Sequence, residues 1–262
     1  TSLNSVTNRY AANELNQYTQ ISAPLAPPCE PHYDLDGNTL TYGVFSYTWD
    51  GENRLIAAYS NAICVVSNAY DHQSRRIQKI TPKATHTYLY DDWNLVQEII
   101  ENHHSTTTNR YVWGKDISGT LQGAGGVGGL LAASINGTYY FPLYDNNGNI
   151  TAYADEHGSI VAEYTYDAFG RTIAQSGSLA AAFPHRFSTK YYDSETGLYY
   201  YGYRFYSPEL MRWLSRDPIE ESGGRHLYGF VDNSPLFRVD FCGLEELITG
   251  DIKASWYELD WW

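Results

Sequence analysis

Cysteine is scarce in this chain of 262 residues, with Cys29, Cys64 and Cys242 its three members. Their odd number and wide spacing exclude a disulfide framework and a paired metal-ligand motif. Basic residues are also short: 17 Lys and Arg stand against 30 Asp and Glu, a formal charge of −13. That balance repels phosphate, so neither nucleic acid nor an anionic membrane surface is expected as a partner. No apolar run approaches the ~18 residues of a membrane span, so no insertion by this segment is expected, and no signal peptide is visible. The chain begins at Thr1 without a Met, which reads as a fragment of something longer.

Aromatic residues are abundant, at 16% of the chain, and 25 of them are Tyr. Such residues suit half-buried strands whose rings pack while their hydroxyls reach a partner, so an all-β fold is expected. Tyr-Asp or Trp-Asp pairs followed by a turn and a β-branched or aliphatic residue recur along the chain. Copies start at Tyr33, Trp49, Tyr70, Tyr90, Tyr144 and Tyr166, the first four separated by 16, 21 and 20 residues. Each copy reads as a hairpin, because Asp-Gly and Asn-Gly tolerate positive φ while flanking Tyr, Thr and Ile favour the pleated strand. One hairpin is marginal alone, so neighbours must stack into an extended curved sheet.

The pattern resembles the YD repeats of the Rhs family. The run from Arg186 to Ile219, with Lys190-Tyr191-Tyr192-Asp193 and Gly202-Tyr203-Arg204-Phe205-Tyr206-Ser207-Pro208 inside it, is similar throughout to the Rhs repeat-associated core. The resemblance implies a bacterial polymorphic toxin or cell-surface protein, secreted or displayed, whose repeats form a shell around its own C-terminal segment or another cargo. Too few repeats are present to close a shell, so a partial β-shell is expected: a curved or spiral open sheet with a C-terminal core plug. The expected divisions are a partial repeat and Pro-rich connector over 1–32, YD repeats over 33–186, the core over 187–244 and a short tail over 245–262. Pro24 to Pro31, with four prolines, reads as irregular, and the Gly-rich 117–129 as a loop or a glycine-bent strand pair.

Within this core, the resemblance marks Asp217 and Asp240 as a pair for self-cleavage after Leu244. Two carboxylates in hydrogen-bond reach share a proton, so one can activate water while the other protonates the leaving amine. Arg216, beside the first Asp, is a candidate to hold one carboxylate ionised or to bind an oxyanion. An Asp-Pro that simply starts a turn is the structural alternative. The family pattern has Gly where this chain has Glu220 and Pro where it has Phe241, while Asp232 lies between the pair.

Other motifs weigh less. The loops at Asp34 and Asp145 lack the Gly at position 6 of a calcium loop and read as hairpin turns. Gly123 to Gly128 satisfies G-x-G-x-x-G, but no helix has room to follow it. Cys242 with His226 as its base is a formal nucleophile pair, and a packed thiol is the alternative. His103-His104 has no third ligand. No cofactor or metal is expected. A second functional reading treats the tyrosine-rich surface as a non-enzymatic module that binds carbohydrate or cell-surface glycans, with Tyr191 to Tyr206 stacking on sugar rings. The tail after Leu244 reads as a truncated cargo or a final strand.

Overall fold

The Asp of each repeat shapes its turn. In a computed structural model, which describes residues 8–23, 26–244 and 246–248, Asp50 Oδ1 accepts the N–H groups of Glu52 and Arg54 at 2.9 and 3.0 Å. Asp71, Asp145 and Asp167 bind the amides two and four residues ahead in the same way. The third residue after the Asp takes positive φ: Gly37, Asn53, Ser74, Gly148 and Gly170. That is why Gly or Asn recurs at this place in the pattern.

Fourteen consecutive strands form one open antiparallel meander. They are β4 (His32–Tyr33), β5 (Thr39–Tyr42), β6 (Phe45–Trp49), β7 (Leu55–Ser60), β8 (Ile63–Tyr70), β9 (Arg76–Ile80) and β10 (Thr85–Asp91). The meander continues through β11 (Asn94–Glu101), β12 (Thr106–Trp113), β13 (Leu130–Ile135), β14 (Thr138–Tyr144), β15 (Ile150–Ala154), β16 (Ile160–Tyr166) and β17 (Thr172–Ser176). Before it, β1 (Arg9–Ala12), β2 (Tyr18–Ala23) and β3 (Ala26–Cys29) make a separate sheet. Part of the stretch read as an irregular connector is therefore strand β3. It lies at the edge of its sheet, where Pro27 and Pro28 forgo no central ladder bond.

The repeat's aromatic residue ties each hairpin to the one before it. The hydroxyls of Tyr70, Tyr90, Tyr144 and Tyr166 donate to the carbonyls of Leu55, Arg76, Leu130 and Ile150 at 2.6–3.0 Å. The indoles of Trp49 and Trp113 do the same for Thr39 and Leu95 at 2.8 and 2.7 Å. Each acceptor lies at the start of the strand leaving the previous turn. Trp113 thus completes a copy that the sequence pattern hides, because Gly114 replaces the Asp and a long loop follows. Asp155 builds the same turn, binding the amides of His157 and Ser159, but at the opposite end of the sheet and without an aromatic anchor.

The C-terminal core seats against the Asp-turn end. Its sheet comprises β18 (Tyr191–Asp193), β19 (Leu198–Tyr200), β20 (Phe205–Ser207) and β21 (Arg212–Trp213), followed by the pair β22 (Arg238–Asp240) and β23 (Glu246–Ile248). Turn after turn of the meander bonds to it: Tyr228 to Gly37, Tyr200 to Arg76, Thr189 to Gly148, Tyr199 to Gly170. A single apolar cluster runs through both parts, joining Tyr47, Val66, Tyr153 and Ala162 of the meander to Tyr200, Phe205 and Leu214 of the core. Two buried polar networks cross this seam. Asp193 accepts from Arg76 at 2.5 Å and from Lys79 at 3.0 Å, while Glu98 accepts from Tyr191 and Tyr111 and bonds His86 Nδ1.

Candidate functional site

Arg204 organises the site. It precedes β20, where the amide of Tyr201 bonds the Arg204 carbonyl in a tight turn, and its guanidinium lies 4.3 Å from the centre of a Trp213 ring. Only 2% of the side chain is exposed, so its charge needs buried partners. Nη2 reaches Asp217 Oδ2 at 2.8 Å and Asp240 Oδ2 at 3.9 Å, while Nε donates to the Gly243 carbonyl. Among the described residues no hydrogen bond joins the two carboxylates directly. They meet across one guanidinium.

Asp217 follows β21 and is held at both ends. Its amide donates to the Leu227 carbonyl at 3.0 Å and its Oδ1 accepts from the Ile219 amide at 3.0 Å, so the Asp-Pro pair does start a turn. The next residue along, Glu220, has φ +54. Gly adopts that conformation freely, and the departure from the family pattern leaves the positive-φ turn in place. Asp240 ends β22, with Oδ1 accepting the Gly243 N–H. Because Asp240 pairs with Glu246 across β22 and β23, the Leu244–Glu245 bond falls within the connection between those strands. Glu245 itself lies outside the described residues, as does the tail from 249 onward.

Asp217, Asp240, Arg204, His226, Asp232 and Leu244 line one small cleft. Burial pushes the Asp240 carboxyl up to about 6, with Arg204 and Lys190 opposing the rise. Burial raises Asp217 as well, against Arg204, and lowers Arg204 itself. One guanidinium is the ion-pair partner of both buried carboxylates, and burial keeps each above the ordinary carboxylate range. Asp217 also borders a second, larger polar cleft formed with Asn38, Arg54, Ser74 and Arg216.

The candidates from sequence are distributed unevenly. Asp217, Asp240 and Leu244 come together, but Arg216 is exposed, lies in the larger cleft and forms no ion pair among the described residues. Its expected part beside the carboxylates belongs to Arg204. Sequence reasoning missed Arg204, although one cation inside an otherwise aromatic, buried stretch has to find an acid. Asp232 stands at the cleft's lip and pairs with Arg238 at 3.0 Å. Cys242 is buried away from His226, in a cavity with Trp93 and Lys190, and burial pushes its thiol up to about 12. A thiolate nucleophile has no support there. Tyr191, Tyr199, Tyr200, Tyr201 and Tyr206 are all buried, so those rings offer sugars no stacking platform.

The model of one known family, Teneurin YD-shell, matches residues 5–236. The chain belongs to this YD-shell family. Its relatives include the tRNA3(Ser)-specific nuclease WapA of Bacillus spizizenii, 31% identical over 87% of this chain and 9% of that protein. The double-stranded DNA deaminase toxin A of Burkholderia cenocepacia is 28% identical over 76% of this chain and 15% of that protein. Toxin subunit YenC2 of Yersinia entomophaga is 38% identical over 40% and 10%. This YD-shell chain therefore spans about a tenth of the length of these relatives. Among solved structures, TcdB2-TccC3-Cdc42 superposes with a TM-score of 0.69 at 21% identity, over 90% of this chain and 13% of that one. The Photorhabdus luminescens Tc holotoxin pore gives 0.68 at 21%, over 92% and 13%. Both share the fold.

Proposed function

We propose that this YD-shell segment encloses or presents the residues that follow its core, and that it cuts itself after Leu244 through Asp217 and Asp240. The observation that carries the reading is the single cleft holding both carboxylates together with Leu244. Asp217, paired with Arg204, takes a proton from a water molecule beside it. The hydroxide equivalent attacks the Leu244 carbonyl. Asp240, protonated at and below about pH 6, gives its proton to the departing nitrogen of Glu245. The C–N bond breaks, leaving a carboxylate on Leu244 and an amine on Glu245.

The enclosed cargo is supported by the named toxin relatives, of whose length the match covers 15% or less. In this reading the nuclease and deaminase activities named for relatives belong to parts beyond the matched tenth, in keeping with the charge of −13. The toxin relatives favour a secreted or surface location. Among the described residues no helix is long and apolar enough to cross a membrane. Intact-mass measurement of wild type and Asp240→Asn after prolonged incubation tests the cut. Wild type should lose residues 245–262 and the variant should keep them; a wild type that stays whole through Trp262 overturns self-cleavage.

A further inference from the structure

The glycine-rich loop between β12 and β13 has no place in the chemistry above, yet it is tightly built. Asp116 is 1% exposed, and its carboxylate accepts the amides of Ser118, Ala124 and Gly126 at 2.7–3.1 Å. Ala124 and Val127 of this loop bury the side chain of Val239, the residue before Asp240. Gly125, at φ +62, comes closer still. A Cβ on it would lie 1.8 Å from the carbonyl oxygen of Phe241, so no other residue fits without moving that backbone. Lys190 spans the same junction: its buried Nζ donates to the carbonyls of Gly125 at 2.7 Å and Phe241 at 2.8 Å.

The two carbonyls after Phe241 are also occupied. The Tyr203 amide donates to Cys242 at 3.0 Å, and Arg204 Nε donates to Gly243. Three consecutive carbonyls leading to Leu244 are thus each fixed by a separate donor. Neutral hydrogen bonds from solvent would satisfy these carbonyls equally well, but they would not fix their positions. A backbone shift of about 1 Å at a reacting centre lowers rates by about a hundredfold. We infer that Lys190 and Gly125 form a clamp that positions residues 241–243, and through them the Leu244 carbonyl, over the aspartate pair. Lys190 is a positioning residue, since its contacts are to Gly125 and Phe241 and not to the bond to be cut. Its catalytic consequence rests on the self-cleavage proposed above. The clamp itself does not.

Lys190 faces Cys242, Asp240 and Asp116, and Asp240 faces Arg204, Lys190 and Asp217. The ammonium therefore also holds the Asp240 carboxyl down, which gives two variants different signatures. Lys190→Met removes the donors and the charge, whereas Gly125→Ala displaces Phe241 and leaves every charge in place. Amide exchange over residues 241–244 is read in an Asp217→Asn background, which keeps the chain in one piece, with a thermal melt to verify folding. Cleavage against pH is read in the Asp217 parent. Both variants should raise exchange over 241–244 at least tenfold and slow cleavage at least tenfold. Only Lys190→Met should move the basic limb of the pH profile upward. Exchange and cleavage within twofold of the parent in both variants overturn the clamp. Should the parent not cut at all while exchange rises in both variants, the clamp stands and the cutting is what fails.

Discussion

Two buried charge clusters sit in the same core and differ in how many cations each buried carboxylate meets. Around Asp193, two cations serve one fully buried carboxylate, Arg76 at 2.5 Å and Lys79 at 3.0 Å, and Lys79 also reaches the partly exposed Glu195 at 3.3 Å. Burial works against the Asp193 anion, but Arg76 and Lys79 overcome it and hold its pKa below the usual range. Around Arg204, one guanidinium pairs with two carboxylates, and burial keeps both above theirs although Lys190 also acts on Asp240. The first arrangement fastens the core to the meander, since Arg76 and Lys79 belong to β9 and Asp193 to β18. The second holds a carboxyl that titrates near 6 beside the segment leading to Leu244. Proportion, not composition, separates a fastening from the site proposed for cleavage.

Substituting each carboxylate in turn breaks the comparison most sharply. Asp193→Asn leaves the buried Arg76 without its carboxylate and Lys79 with Glu195 alone, and should destabilise the fold by about 3–5 kcal/mol in urea denaturation. Asp240→Asn should leave stability unchanged or slightly higher, because it removes an anion that burial disfavours, while cleavage falls by about 10²–10⁴-fold. Equal destabilisation by the two variants would erase the distinction.

Opposite pH dependence follows at a similar scale. Asp240 rises from 3.8 to about 6 on folding, so its contribution favours the fold below about pH 4 and is lost as pH climbs through 6, a change of roughly 3 kcal/mol. Glu98, whose burial is overcome by hydrogen bonds from His86 and Tyr191, drops from 4.5 to about 2. Its contribution is present above pH 4.5 and lost as pH falls through 2, again roughly 3 kcal/mol. Urea midpoints measured between pH 2 and 7 should show Asp240→Asn flattening the upper slope and Glu98→Gln the lower one. Smallest is the repeat tie itself. Tyr166→Phe loses the bond to Ile150 and should lower stability by about 1 kcal/mol, whereas Tyr139→Phe, half exposed, should be neutral by the same measurement.

The hairpins were legible because their determinants are local. An Asp that binds amides two and four residues ahead, and a Gly or Asn at positive φ, leave a fixed spacing in the chain. The copy at Trp113 was hidden because its turn grew into the loop from Gly114 to Gly129, and what survives of the repeat is an indole bond to Leu95. Asp217 and Asp240 were visible through resemblance, 23 residues apart, but their shared cation was not. Arg216 is adjacent in sequence to Asp217, and yet it is exposed where Asp217 is buried. Arg204 reaches both carboxylates only because β20 and β22 are brought together in space. The same holds for Gly125, whose need for a missing side chain depends on a carbonyl 116 residues away.

The rate at which the Glu245 amino terminus appears between pH 4 and 8 bears most directly on the aspartate site. With Asp240 as the acid, flanked by Arg204, Lys190 and Asp217, the rate should fall about tenfold per pH unit above about pH 6. Asp240→Asn should abolish both the rate and its slope. A rate that is flat or rising through this range, or one that Asp240→Asn leaves unchanged, would contradict the assignment.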